Sequence, residues 1–148
     1  MKITSFSYRP SDSERESASV SYLISLLTAV AGMPLPIVNL ITTIIFYFAN
    51  RKKTLFVRWH CTQALIAQFS LFAMNTIGLW WTIGNIVNDT FDKNFNYYVA
   101  YILTVIVVNI AELIVTIITA VHTRQGKHVK WFFYGALTDV LLKVKDNE

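Results

Sequence analysis

From Ser17 to Asn50 the chain runs 34 residues without a single Asp, Glu, Lys or Arg. One unbroken helix of that length would be about 50 Å long, against a bilayer hydrocarbon core of roughly 30 Å. The block is too long for one upright span, and its middle reads AGMPLPIVN. Pro34 and Pro36 each remove a backbone donor, and Gly32 tolerates a turn. The reading is two helices, at about 17–33 and 36–50, forming a Pro-broken hairpin. Each is short for a full crossing, so the hairpin is either shallow and re-entrant or, as one block, a single broken span. A break at membrane depth must be covered by protein or lie near the interface.

Charged residues make up 15% of the chain, where a soluble domain carries about 25%. That shortfall points to an integral membrane protein of one compact domain. A single cysteine excludes an intramolecular disulfide and any multi-cysteine zinc site. Residues Met1 to Glu16 contain no apolar run ending in a small-residue cleavage site, so no secretory signal is legible.

The expected fold class is all-α: an integral membrane four-helix bundle with an amphipathic C-terminal tail. Residues 1–15 read as a polar N-terminal tail, 16–126 as the four-helix transmembrane domain, and 127–148 as a basic, aromatic tail, interfacial or cytoplasmic. Ser13 with Glu16, or Ser11 with Glu14, fits a capping box at the first helix start. A third helix starts at a Thr54 N-cap and runs to about Asn85, and a fourth runs from about Asn96 to His122, with NIVNDTFDKNFNYY connecting them. Gly126 is a natural stop. Beyond it, Val129, Phe132, Phe133, Leu137, Val140, Leu141 and Val144 recur at roughly helical spacing, which suggests a helix on the membrane surface, weakened by Gly135.

Topology follows from the basic residues. Arg51, Lys52, Lys53 and Arg58 mark one loop as cytoplasmic, and Arg124, Lys127 and Lys130 mark the C-terminus likewise. The expected location is a bacterial inner membrane, multi-pass, with both termini cytoplasmic and the loop around Asp89 and Asp92 outside. Trp80, Trp81, Tyr97, Tyr98 and Tyr101 would form an outer interfacial belt, and Trp59 and Trp131 an inner one.

Polar residues inside the apolar helices carry the most information, because a polar group in lipid is costly unless partnered. In the third helix Cys61, Gln68, Asn75 and Thr82 recur every seven residues and share one face. In the fourth, Asn109, Glu112, Thr116, Thr119 and Thr123 step by three or four; in the second, Asn39, Thr42, Thr43 and Asn50 do the same. Such seams should face one another. Counted from the cytoplasmic ends, Asn39 lies about 16 Å deep, Gln68 about 13 Å and Glu112 about 15 Å. Glu112 is therefore expected inside the bundle, with Gln68 and Asn39 as neighbours. Two uses of Glu112 stand side by side: a hydrogen-bonded acid holding the bundle or a partner, or a proton or cation site in a transport path.

Other features are weaker. His60 and His122 could lie close, as a haem or metal site would want, but no carboxylate stands near to orient either, and no metal or cofactor is expected. Cys61 reads as a packed thiol. Asn88-Asp89-Thr90 matches the glycosylation triplet. The sequence lacks a Gly-rich phosphate loop, an HExxH helix and a nucleophile elbow, so the chain is expected not to be an enzyme.

The stretch RKKTLFVRWHCTQAL carries a family resemblance. Basic residues followed by Phe56, Val57, Arg58, His60, Gln63 and Ala64 look like the segment marking small four-helix bacterial membrane proteins of unassigned function. These are similar to the twenty-kilodalton subunit of the chloroplast inner-envelope translocon, Tic. PLPIVNLITTIIFYF upstream and AVHTRQGKHVKWFF downstream fit the same pattern, from roughly Glu16 to Phe133. The resemblance implies a non-catalytic subunit of a larger inner-membrane complex, assisting protein translocation or insertion. The alternative is a small proton- or cation-coupled transporter component using Glu112. The residues expected to form the polar seam or bind partners are Asn39, Arg58, His60, Gln63, Gln68, Asn75, Asn109 and Glu112. The expected partners are the lipid bilayer and other membrane subunits, with no nucleic acid and no soluble small-molecule substrate.

Overall fold

The computed structural model describes residues 1–31 and 36–144. The chain is dominated by helix, with five helices and a two-stranded ribbon among the described residues. In order these are β1 (Lys2–Ser5), α1 (Asp12–Ala31), α2 (Pro36–Asn50), α3 (Leu55–Asn88), α4 (Phe91–Arg124), β2 (Lys127–Lys130) and α5 (Phe132–Leu142). The hinge expected around Gly32 and Pro34 lies outside the described residues. Two helices, Leu55–Asn88 and Lys93–Arg124 within α4, are long and apolar enough to cross a membrane.

The capping box settles on the earlier of its two registers. The Ser11 N–H donates to Glu14 Oε2 at 2.6 Å, and the Glu14 N–H donates to Ser11 Oγ at 3.3 Å. This reciprocal pair satisfies two donors that the first turn of α1 would leave bare. Thr54 stands at the N-cap of α3, yet its side chain makes no cap bond there. Its hydroxyl bonds Glu14 instead, which ties the start of α1 to the start of α3.

Residues 2–5 are not a loose tail. β1 pairs antiparallel with β2 in the register Lys2 with Lys130, Ile3 with Val129, Thr4 with His128 and Ser5 with Lys127. Gly126, at φ +81°, turns the chain out of α4 and into β2. Local periodicity could not reveal this ribbon, because each strand is four residues long and finds its partner at the far end of the chain.

The α3–α4 connection is shorter than expected. Both helices have 34 residues, so each is about 51 Å long, and only Asp89 and Thr90 lie between them. Asp89 takes the left-handed conformation (φ 49°), and its N–H returns to the Asn85 carbonyl. The Thr90 hydroxyl bonds Asn85 Oδ1 at 3.0 Å, and Asn88 Nδ2 donates to the Gly84 carbonyl at 2.9 Å. The polar run that reads as a loop therefore supplies the last turn of α3, the reversal and the first turns of α4.

Packing is concentrated at one end. α1 lies against α4, α3 and α2; α2 and α5 each lie on α3. The core there holds Tyr22, Ala64, Ala67, Ala120, Val129 and Trp131. Alanines at the crossings let helix backbones approach closely. Trp59 and Trp131 belong to this interior, 1% and 6% exposed, so they are not an interfacial belt. Trp80, 66% exposed, faces outward as an interfacial residue would, whereas Trp81 packs against Tyr98 and Tyr101.

Candidate functional site

Two polar networks organise the molecule. The first lies where α1, α3, α4 and β2 meet. Gln63 is fully buried, and its amide orientation is set by its neighbours. The Trp131 backbone N–H can only donate, so it faces Gln63 Oε1, at 3.1 Å. Gln63 Nε2 then donates to the Val129 carbonyl at 3.1 Å and to the Tyr22 hydroxyl at 2.9 Å. Having accepted that bond, Tyr22 directs its own proton to His60 Nδ1, 2.9 Å away. His60 must then carry its proton on Nε2, which meets His128 Nδ1 at 3.4 Å. Polarity in this arrangement runs one way, from Gln63 through Tyr22 and His60 to His128.

Around this line the aromatic rings interlock. His60 lies edge-on to Phe56, Trp59 and Tyr22, and His128 lies 4.2 Å from Trp59 between centroids. The Trp59 indole N–H donates to Asp139 Oδ1 at 2.7 Å, and the other oxygen of Asp139 pairs with Lys130 Nζ at 2.6 Å. Trp131 Nε1 donates to Thr119 Oγ1 at 2.6 Å. Gly135 makes the approach of α5 possible: a methyl group there would stand 3.2 Å from Gln63 Oε1 and 3.3 Å from the Lys130 backbone.

The second network crosses the helices deeper in. Asn39 Nδ2 of α2 donates to Gln68 Oε1 of α3 at 2.6 Å, and Gln68 Nε2 donates to Glu112 Oε1 of α4 at 3.2 Å. Further along, Asn75 and Asn109 exchange two amide bonds, at 3.2 and 2.9 Å. Beyond them Tyr98 meets Thr82 at 2.9 Å, and the Tyr101 hydroxyl donates to the Met74 carbonyl at 2.9 Å.

Of the residues singled out in the sequence, Asn39, Gln68 and Glu112 meet in one line, Asn75 and Asn109 in another, and His60 and Gln63 in the buried node. Arg58 meets none of them and lies exposed on the first turn of α3. His60 pairs with His128 rather than with His122, whose Nδ1 is buried without a hydrogen-bond partner. No three His, Cys, Asp or Glu side chains converge on one point among the described residues. Tyr22, His128 and Asp139 escaped sequence reasoning as members of the node, and Trp131 was read as interfacial rather than internal. The one signal was Asp139, an acid in an otherwise apolar helix.

At the surface beside the node, Glu14 accepts bonds from the Thr54 side chain, the Ser11 N–H and the Tyr8 hydroxyl. The Thr54 bond first, then those of Ser11, hold its carboxyl down at about 2. This buttress joins the N-terminal segment, α1 and α3.

The model of the magnetosome magnetite crystal formation protein family matches residues 13–137, from the first turn of α1 into α5. The chain belongs to that family. No curated protein and no solved structure matches it. The match overturns the Tic-like resemblance, and with it the translocation and transporter readings. The resemblance rested on a segment whose residues serve internal packing here. His60 and Gln63 are buried bonding groups of the node, not a receiving surface, and Glu112 closes a chain of amide bonds.

Proposed function

We propose that this magnetosome-family protein is a non-catalytic, integral component of the magnetosome membrane that acts in magnetite crystal formation. The family match over residues 13–137 carries this reading. The long α3–α4 hairpin supports the membrane placement: Phe69, Ile77, Ile106 and Val107 turn outward, 48–65% exposed. In this reading α3 and α4 span the bilayer, and α1 and α2 complete a four-helix bundle as a re-entrant hairpin. The β1–β2 pairing supports placing both ends of the chain on one side. The exposed cations Arg51, Lys52, Lys53 and Lys127 favour the cytoplasmic side. The polar seam from Asn39 to Glu112, with Asn75 and Asn109, serves as internal glue, and the outward apolar faces take lipid and neighbouring membrane subunits.

The test is removal of the chain from a magnetite-forming cell, with crystal size, number and shape scored by electron microscopy. Altered crystals, restored by the intact chain and accompanied by its recovery in carbonate-washed magnetosome membranes, are expected. Unchanged crystals would overturn the reading.

A further inference from the structure

The outward half of α5 is entirely apolar. On a helical projection Phe132, Phe133, Ala136, Leu137, Val140 and Leu141 occupy one continuous half-circle, and all six are exposed. Phe132 is 94% exposed, Val140 73% and Phe133 72%. The inward half holds Gly135, Thr138 and Asp139, all buried. This inverts the pattern of a helix packed on a soluble core, whose apolar stripe faces inward. α5 is held to the protein by the bonds of Trp59 and Lys130 to Asp139 and by Tyr134, which packs against Trp131, and it offers its greasy side outward.

We propose that α5 is an interfacial lipid-binding helix. Its outward face lies in the boundary between headgroups and acyl chains of a bilayer containing anionic lipid. Two observations select the bilayer as occupant. The apolar surface is not an isolated patch: at the same end Leu55 of α3 and Ile117, Ile118 and Val121 of α4 are exposed as well. A surface that runs on around the molecule suits a fluid solvent better than one bounded partner. The same end also carries exposed cations, Arg51, Lys52, Arg58, Lys127 and Lys143, which complement anionic headgroups. The proposal shares with the functional reading only the membrane placement of α3 and α4, and it is independent of any part in crystal formation.

The experiment uses the full chain in vesicles of phosphatidylcholine with phosphatidylglycerol. Single labelling sites are made in a Cys61→Ala background: Phe133→Cys and Val140→Cys on α5, Val107→Cys on α4, and Gln125→Cys beyond α4. A fluorophore at each is challenged with lipid-borne nitroxides, one near the headgroup and one deep in the acyl chain for the mid-helix site 107, and with aqueous iodide. The labels at 133 and 140 are expected to be quenched by the headgroup nitroxide and shielded from iodide several-fold relative to 125. That shielding should weaken when phosphatidylglycerol is omitted. Iodide access at 133 and 140 equal to that at 125 overturns the proposal. So does self-quenching between copies without quenching by lipid, which would make α5 a contact between chains. Lipid quenching at 107 but not on α5 defeats the α5 proposal alone; its absence at 107 too defeats the membrane placement with it.

Discussion

The two halves of α3 differ more from each other than α3 differs from α4. In the first half, Phe56, Val57, Trp59, His60, Cys61 and Gln63 are all buried, enclosed by α1, α2, α5 and β2. In the second half only Gly78 and Asn85 are buried, and the main neighbour is α4. The first half is ordered by a web in which one side chain serves several elements, so its polar groups depend on one another. The second half is ordered by pairwise contacts, Asn75 with Asn109 and Thr82 with Tyr98. Gly78 faces Tyr101 there, and a Cβ at that position would stand 3.4 Å from the ring, in ordinary contact. A single helix thus passes from a closed protein interior into a two-helix hairpin whose remaining surface is apolar and exposed, at Phe69, Ile77, Ile106 and Val107 among others.

That contrast can be broken by mutation. Gln63→Leu should cost the most. It removes three bonds and strands the Trp131 N–H and the Val129 carbonyl, each orphan costing about 1–3 kcal/mol. Unfolding in a denaturing-detergent titration should shift by several times the effect of any change in the hairpin. Trp59→Phe keeps a ring but loses the bond to Asp139, a charged acceptor, for about 1.5–3 kcal/mol in the same titration. Asn75→Leu should cost only about 0.6–2 kcal/mol, the range for interhelical bonds in membranes. If it matched Gln63→Leu, the two halves would not differ in kind.

The smallest effect is electrostatic. The folded-state pKa of Glu14 lies at about 2, below its ordinary 4.5. A depressed carboxyl contributes stability above its unfolded value, and that contribution disappears as pH falls through the folded one. Glu14→Gln should therefore be slightly less stable than the native chain at neutral pH. The gap should close between pH 4.5 and about 2, followed as paired thermal melts. Because the group is exposed, solvent screening keeps the difference small.

How much of this was legible depended on range. Seven-residue spacing put Gln68 and Asn75 on one face of α3, and depth counting brought Asn39 and Glu112 level with Gln68, because both rules act within a helix. The Ser11–Glu14 box was legible for the same reason. The node was not. Its members Tyr22, His60, His128 and Trp131 come from α1, α3, β2 and the start of α5, and no local rule brings them together. The aromatics misled through composition: tryptophans near helix ends usually mark an interface, but here Asp139 and Thr119 satisfy both indoles internally. The loop between α3 and α4 misled because Asn and Asp favour turns, while only Asp89 and Thr90 were needed to make one.

The register of the ribbon dictates an order of assembly. Lys2 pairs with Lys130, so the first strand has no partner until residues 127–130 have been synthesised. The α3–α4 hairpin, closed by a two-residue turn, is complete before that point. The N-terminal strand must wait until then and dock together with β2. Such a late, long-range closure is slow compared with local hairpin formation. It also means that any chain truncated before Lys127 leaves β1 without its partner strand.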